Sequence, residues 1–176
     1  TRAGLLEEMR VSSFQGIESI SALSTEKEQP TPLVLFSPSE QAIGYLEYDK
    51  EAETLPFPRI LPVKGEPLGL TVFPIKEGQF LAVMIEPEEG DVPLLMGYPL
   101  GKEGKLGEAR RLYAASELDE SFPLHGVDVV GMKSMDFNRD GRMDLIVFAD
   151  FSPAVILLQD EKGKFKELEA TSAVLQ

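Results

Sequence analysis

The same order of elements occurs three times along the chain, and this repetition limits the fold more than any other feature of the sequence. Residues 16–23, 68–75 and 126–133 alternate, or nearly alternate, apolar and polar or small side chains, the period of a strand with one face in a core. After a connection, each is followed by a short apolar run, at 33–36, 80–85 and 145–148. Runs of this kind bounded by turn residues fit strands buried on both faces. Third strands are predicted over 42–48, 92–98 and 154–158, and fourth strands over 54–63, 106–113 and 165–170. Two of the fourth strands follow similar turns, Lys102-Glu-Gly-Lys105 and Glu161-Lys-Gly-Lys164. Pro56, Pro58 and Pro62 lie in the first fourth strand, where an outer edge tolerates a missing N–H.

Four strands per unit of roughly 50–60 residues is the pattern of β-propeller blades. The chain is therefore expected to be all-β, with three four-stranded antiparallel blades at 16–67, 68–125 and 126–176. A β-sandwich has similar hairpin spacing, but recurrence of one strand order with one turn chemistry favours blades. Residues 3–10 resemble 162–169, so 1–15 is read as the outer strand of a preceding blade, or else as a leader or short helix. Propellers close with about four to eight blades. Three blades thus imply a larger propeller of roughly 330–450 residues, or a ring closed by a second copy of the chain.

The third unit contains the most specific chemistry. Asp136-Phe-Asn-Arg-Asp-Gly-Arg-Met-Asp144 places oxygen side chains at alternate positions (Asp136, Asn138, Asp140), a glycine at the sixth position and Asp144 at the ninth. Ca²⁺ takes about six to eight oxygen ligands in a tolerant geometry. In a loop of this form Arg142 contributes its backbone carbonyl and Gly141 makes the sharp turn. An EF-hand would place a bidentate Glu at the twelfth position between two helices. Here that position is Val147, inside a strand-like run, so the loop is expected to join two strands. The competing reading is an acidic, solvated turn.

From residue 127 to 165 this unit resembles the FG-GAP/VCBS repeat of integrin-α-like propellers and exported bacterial proteins. The resemblance implies Ca²⁺ in the loop between the first two strands of a blade, held by Asp136, Asn138, Asp140 and Asp144 and by the Arg142 carbonyl. The other units depart from the pattern. Residues 24–32 carry Glu26 and Glu28 without an Asp-Gly, and Lys76-Glu-Gly-Gln79 is too short to encircle an ion. One calcium is therefore expected. The resemblance implies an extracytoplasmic (extracellular or periplasmic) scaffold that binds a protein or glycan. The alternative is a non-catalytic part of a propeller hydrolase or lyase whose active site lies mainly in other blades.

Composition narrows the partners. With 17 Lys and Arg against 30 Asp and Glu, the net charge is −13, which disfavours nucleic acids and anionic membranes. There is no cysteine, so disulfides and thiolate metal sites are excluded. No apolar run reaches the length of a membrane span. No catalytic motif is evident: a Gly-x-Ser-x-Gly context and a glycine-rich phosphate loop are both missing. The single His125 precedes an inner strand and is read as a structural loop residue, with a channel-mouth binding role as the sharper alternative. The run Glu86-Pro-Glu-Glu-Gly-Asp91 is read as a hairpin tip, and Tyr45, Tyr48 and Tyr98 as packing between blades.

Overall fold

The computed structural model describes residues 11–23, 31–75, 78–86, 93–101, 104–114, 129–151 and 153–168. These residues form three four-stranded antiparallel sheets, each a meander in chain order. The first holds β1 (Ser19–Ala22), β2 (Leu33–Ser37), β3 (Ala42–Leu46) and β4 (Arg59–Ile60). The second holds β5 (Glu66–Ile75), β6 (Gly78–Glu86), β7 (Leu94–Leu100) and β8 (Arg110–Ala114). The third holds β9 (Val129–Met135), β10 (Asp144–Ala149), β11 (Val155–Gln159) and β12 (Phe165–Glu167). Among the described residues no helix is long and apolar enough to cross a membrane.

The elements fall where the apolar pattern places them, though the predicted strand over 16–23 shortens to Ser19–Ala22 and that over 106–113 to Arg110–Ala114, and one shortens far more. The predicted strand over 54–63 reduces to Arg59–Ile60. Pro56, Pro58 and Pro62 have no N–H to donate to β3, so the ladder shrinks to Gly44–Ile60 and Tyr45–Arg59, continued by the Leu61 N–H to the Ile43 carbonyl at 2.8 Å. The predicted outer strand in residues 3–10 lies outside the described residues.

The alternating side chains of β6 explain how the sheets stack. Phe80, Ala82 and Met84 face the third sheet, in a core with Leu145, Val147, Val155 and Leu157. Leu81, Val83 and Ile85, their neighbours along the chain, face the first sheet, in a core with Val34, Phe36, Ile43 and Tyr45. A strand points successive side chains to opposite faces, so a continuous apolar run can serve two cores at once. Full burial of each of the larger aliphatic side chains contributes about 1.5–3 kcal/mol. Tyr45 and Tyr98 belong to the core between the first two sheets.

The outer faces of the stack differ. On the first sheet, Phe14 is buried against Gly44, where a Cβ would meet its ring at 2.4 Å. It makes an edge contact with Phe57, ring centroids 5.5 Å apart. The outer face of the third sheet carries Ile146, Ile156 and Leu158, all half-buried, with Phe148 41% exposed and Leu168 40% exposed. The first strands of all three sheets border a common cavity of about 660 Å³, lined by residues including Ile20 of β1, Leu70 of β5, and Met132 and Lys133 of β9.

Candidate metal centre

The oxygen-rich loop joins β9 to β10. Met135 and Asp144 are paired across the hairpin, so residues 136–143 leave and rejoin the sheet at one place. Inside the loop the acidic side chains turn toward backbone donors. Asp136 accepts the N–H of Asp140 at its Oδ1 and the N–H of Gly141 at its Oδ2, both at 3.0 Å. Asn138 Oδ1 accepts the same Asp140 N–H at 3.1 Å. Asp140 Oδ1 in turn accepts the N–H of Arg142 at 2.9 Å. Two residues take positive φ, Arg139 at 60° and Gly141 at 84°. A Cβ on Gly141 would have no neighbour within 4 Å, so glycine is favoured there by backbone conformation and not by space.

Asp144 closes the loop. Although it is a carboxylate, it is completely buried. Its Oδ2 accepts the N–H groups of Phe137 at 2.9 Å and Asn138 at 3.4 Å, while Oδ1 accepts that of Gln159 at 2.9 Å. Backbone donors thus replace the water that a buried carboxylate loses. One side chain clasps the start of the loop to β11, two strands away.

Arg142 contributes more than a carbonyl. Its Nε donates to the backbone oxygen of Gln159 at 2.9 Å, and its Nη2 contacts Asp140 Oδ2 at 2.5 Å. Asn138 Nδ2 donates to that same carboxylate oxygen at 2.7 Å. Desolvation pushes the Asp140 carboxyl up. The Arg142 backbone N–H, the Asn138 amide and the Arg142 guanidinium outweigh it and hold Asp140 below the usual carboxylate range. Asp136 has no ion-pair partner among the described residues.

The donor set suits a hard cation: three carboxylates, one side-chain amide and a backbone carbonyl, with no soft ligand. A carboxylate has about four acceptor positions, so Asp144 retains one beyond its three backbone donors. As placed, no three carboxylate or imidazole groups among the described residues converge on one point. Binding would require Asp140 to turn from the Arg142 guanidinium toward Asp136. Asp136, Asn138, Asp140, Asp144 and the Arg142 carbonyl would then hold the ion, which would neutralise the crowded carboxylates.

The other sites considered in the sequence are only partly described. His125, residues 87–91 and the loop over 24–30 lie outside the described residues. In the second sheet Ile75 pairs directly with Gly78, leaving only residues 76 and 77 for the turn. The sequence pattern assigned neither the guanidinium of Arg142 nor Gln159 to the loop. Gln159 participates through its backbone, which any residue type carries. No protein-family model and no curated protein sequence matches this chain.

Proposed function

We propose that this chain is a calcium-stabilised segment of an FG-GAP/VCBS-type β-propeller, acting as an extracytoplasmic scaffold that binds a protein or glycan. One observation carries the calcium reading. Equivalent strands in the second sheet are joined through residues 76 and 77 alone, yet the third sheet uses 136–143, with Asp136 and Asn138 sharing the Asp140 N–H and the Asp140 side chain accepting the Arg142 N–H. Strand pairing does not require the longer loop, and its side chains are those of a hard-cation site.

Three further features support the propeller part. The sheets are four-stranded meanders, they stack face to face through two cores, and their first strands gather around one cavity, as inner strands line a propeller channel. The apolar outer face of the third sheet, with Ile146, Phe148 and Ile156, suits a further blade or a second copy. Extracellular calcium modules bind at about 10⁻⁴–10⁻³ M, so a single-loop site of this kind is loaded outside the cytoplasm and empty within it.

Calorimetric titration of chelator-treated protein with CaCl₂, alongside thermal unfolding, tests the loop. One site per chain with a raised Tm is expected. Absence of both heat and Tm shift would reduce the loop to a self-satisfied acidic turn.

A further inference from the structure

We propose a second site, independent of the calcium loop: the cleft between the second and third sheets binds a small amphipathic anion, a carboxylate or phosphate on an aromatic or aliphatic body. The cleft has a volume of about 320 Å³, at the small end of the range of roughly 300–1,000 Å³ for small-molecule pockets. It opens where the outer strands β8 and β12 approach each other.

Its two halves have different chemistry. The floor is formed by Phe73, Phe80 and Leu112, with the two rings 5.6 Å apart and tilted by 42°. Gly97 lets these groups pack closely, since a Cβ there would meet Phe80 at 2.3 Å and Leu112 at 2.7 Å. The rim carries three cations, Arg110 from β8 and Lys162 and Lys164 from the turn before β12. Arg111 also borders the cleft, but its pairing with Met96 turns its side chain to the opposite face of the sheet. In a chain with 17 basic and 30 acidic residues, three basic side chains around one cleft run against the overall composition. None of the three forms an ion pair among the described residues.

The turn that presents the lysines is held in place by its own hydrogen bonds. The Asp160 carboxylate accepts the N–H groups of Lys162 at 2.8 Å and Lys164 at 2.9 Å, and Gly163 takes φ of 75°. Asp160 is held below the usual carboxylate range, first by the Lys164 N–H, against a desolvation cost, and then by the Lys162 N–H and both lysine charges. With Glu161 of the same turn it offsets two of the three positive charges, leaving one in excess. The net charge of −13 repels an extended polyanion. A small anion within the cleft responds chiefly to charges inside the Debye length of about 8–10 Å. A hydrophobic floor beneath a cationic rim calls for both an apolar body and an anionic head.

Phenyl phosphate is a suitable probe, titrated into ¹⁵N-labelled chain at low salt and followed by amide shifts. Saturable shifts confined to residues 73, 75, 80, 110–112, 159 and 162–164 are expected. The exposed Lys162→Gln/Lys164→Gln pair, with an unchanged unfolding curve as control, should bind about tenfold more weakly, as loss of charge-assisted contacts predicts. Inorganic phosphate and benzyl alcohol, each carrying one half of the chemistry, should bind at least about tenfold more weakly than phenyl phosphate. Scattered shifts, unchanged affinity in the double variant, or equal binding of either half-probe would overturn the proposal. The titration is run in chelator and in calcium. Phenyl phosphate binding without any calcium response would retain this site and discard the calcium loop, and the opposite result would do the reverse.

Discussion

The hairpins β5–β6 and β9–β10 occupy the same place in consecutive sheets and solve the same problem in opposite ways. The first turns through residues 76 and 77, with Ile75 still paired to Gly78. The second runs through 136–143 before Asp144 restores the pairing. The first hairpin is an apolar ladder whose energy lies in two cores. The second closes a polar loop on a buried carboxylate. Antiparallel pairing sets no minimum on loop length beyond about two residues. The additional chain in the third sheet therefore reflects a demand other than strand pairing.

The largest expected effect breaks the clasp. Asp144→Ala leaves the N–H groups of Phe137, Asn138 and Gln159 without their acceptor, and should cost about 3 kcal/mol in urea unfolding without calcium, and more with it because a proposed ligand is also lost. A loss below about 0.5 kcal/mol would mean that the loop closes by other contacts. Next in size is the ion itself. At a hundredfold excess over its Kd, calcium should stabilise the chain by about 2.7 kcal/mol, a Tm rise of roughly 5–10 °C for a chain of this size. Asp140→Ala should abolish that rise while changing calcium-free stability by less than about 1 kcal/mol, since its contacts are solvent-exposed. Equal losses in both conditions would assign Asp140 to the fold and not to an ion.

Smaller effects sharpen the contrast. Gly141→Ala should cost about 1 kcal/mol, because φ of 84° lies near the left-handed basin and the added carbon meets nothing. Gly78→Ala should cost more, because φ of 123° lies far from any basin open to a Cβ. Equal costs by urea unfolding would show that the short turn relaxes. Arg142→Gln removes the cation that competes for Asp140 but keeps the backbone carbonyl. Calcium affinity should rise about two- to fivefold by calorimetry. An unchanged or lower affinity would mean that the guanidinium supports the bound loop.

The smallest effect concerns pH. The Asp140 and Asp160 carboxyls are held below their ordinary values in the folded chain. Their contribution is complete above the ordinary carboxylate pKa of about 4, and is lost as pH falls through the lower folded values. Asp140→Asn/Asp160→Asn should flatten the acid limb of the stability curve below about pH 4, by lowering neutral stability slightly while leaving stability at low pH unchanged. An unaltered limb would place the acid sensitivity elsewhere.

Much of the fold was legible because it depends on local pattern. The middle strands β2, β6 and β10 appear as unbroken apolar runs; in β2 and β6 burial on both faces removes alternation, whereas in β10 the outward Ile146 is half-buried and Phe148 exposed. The weak β4 was overextended because the apolar character of 54–63 outweighed the prolines that prevent its pairing. The candidate metal loop was legible because its oxygen side chains lie two residues apart in one segment. The clasp was not, because Asp144 reaches Gln159 through a backbone group that no residue type marks. The cleft was less legible still. Its rim joins Arg110 of one sheet to Lys162 and Lys164 of another, and only stacking brings them together. The Lys-Gly-Lys turn was its only trace in the sequence.

The two-faced burial of β6 also gives local unfolding a direction. Either flanking sheet can open alone while the opposite face of β6 stays covered. β6 itself cannot open without uncovering Phe80, Ala82 and Met84 on one side together with Leu81, Val83 and Ile85 on the other. Its amides should therefore exchange with solvent only when the whole stack comes apart, which makes this one strand the slowest clock in the molecule.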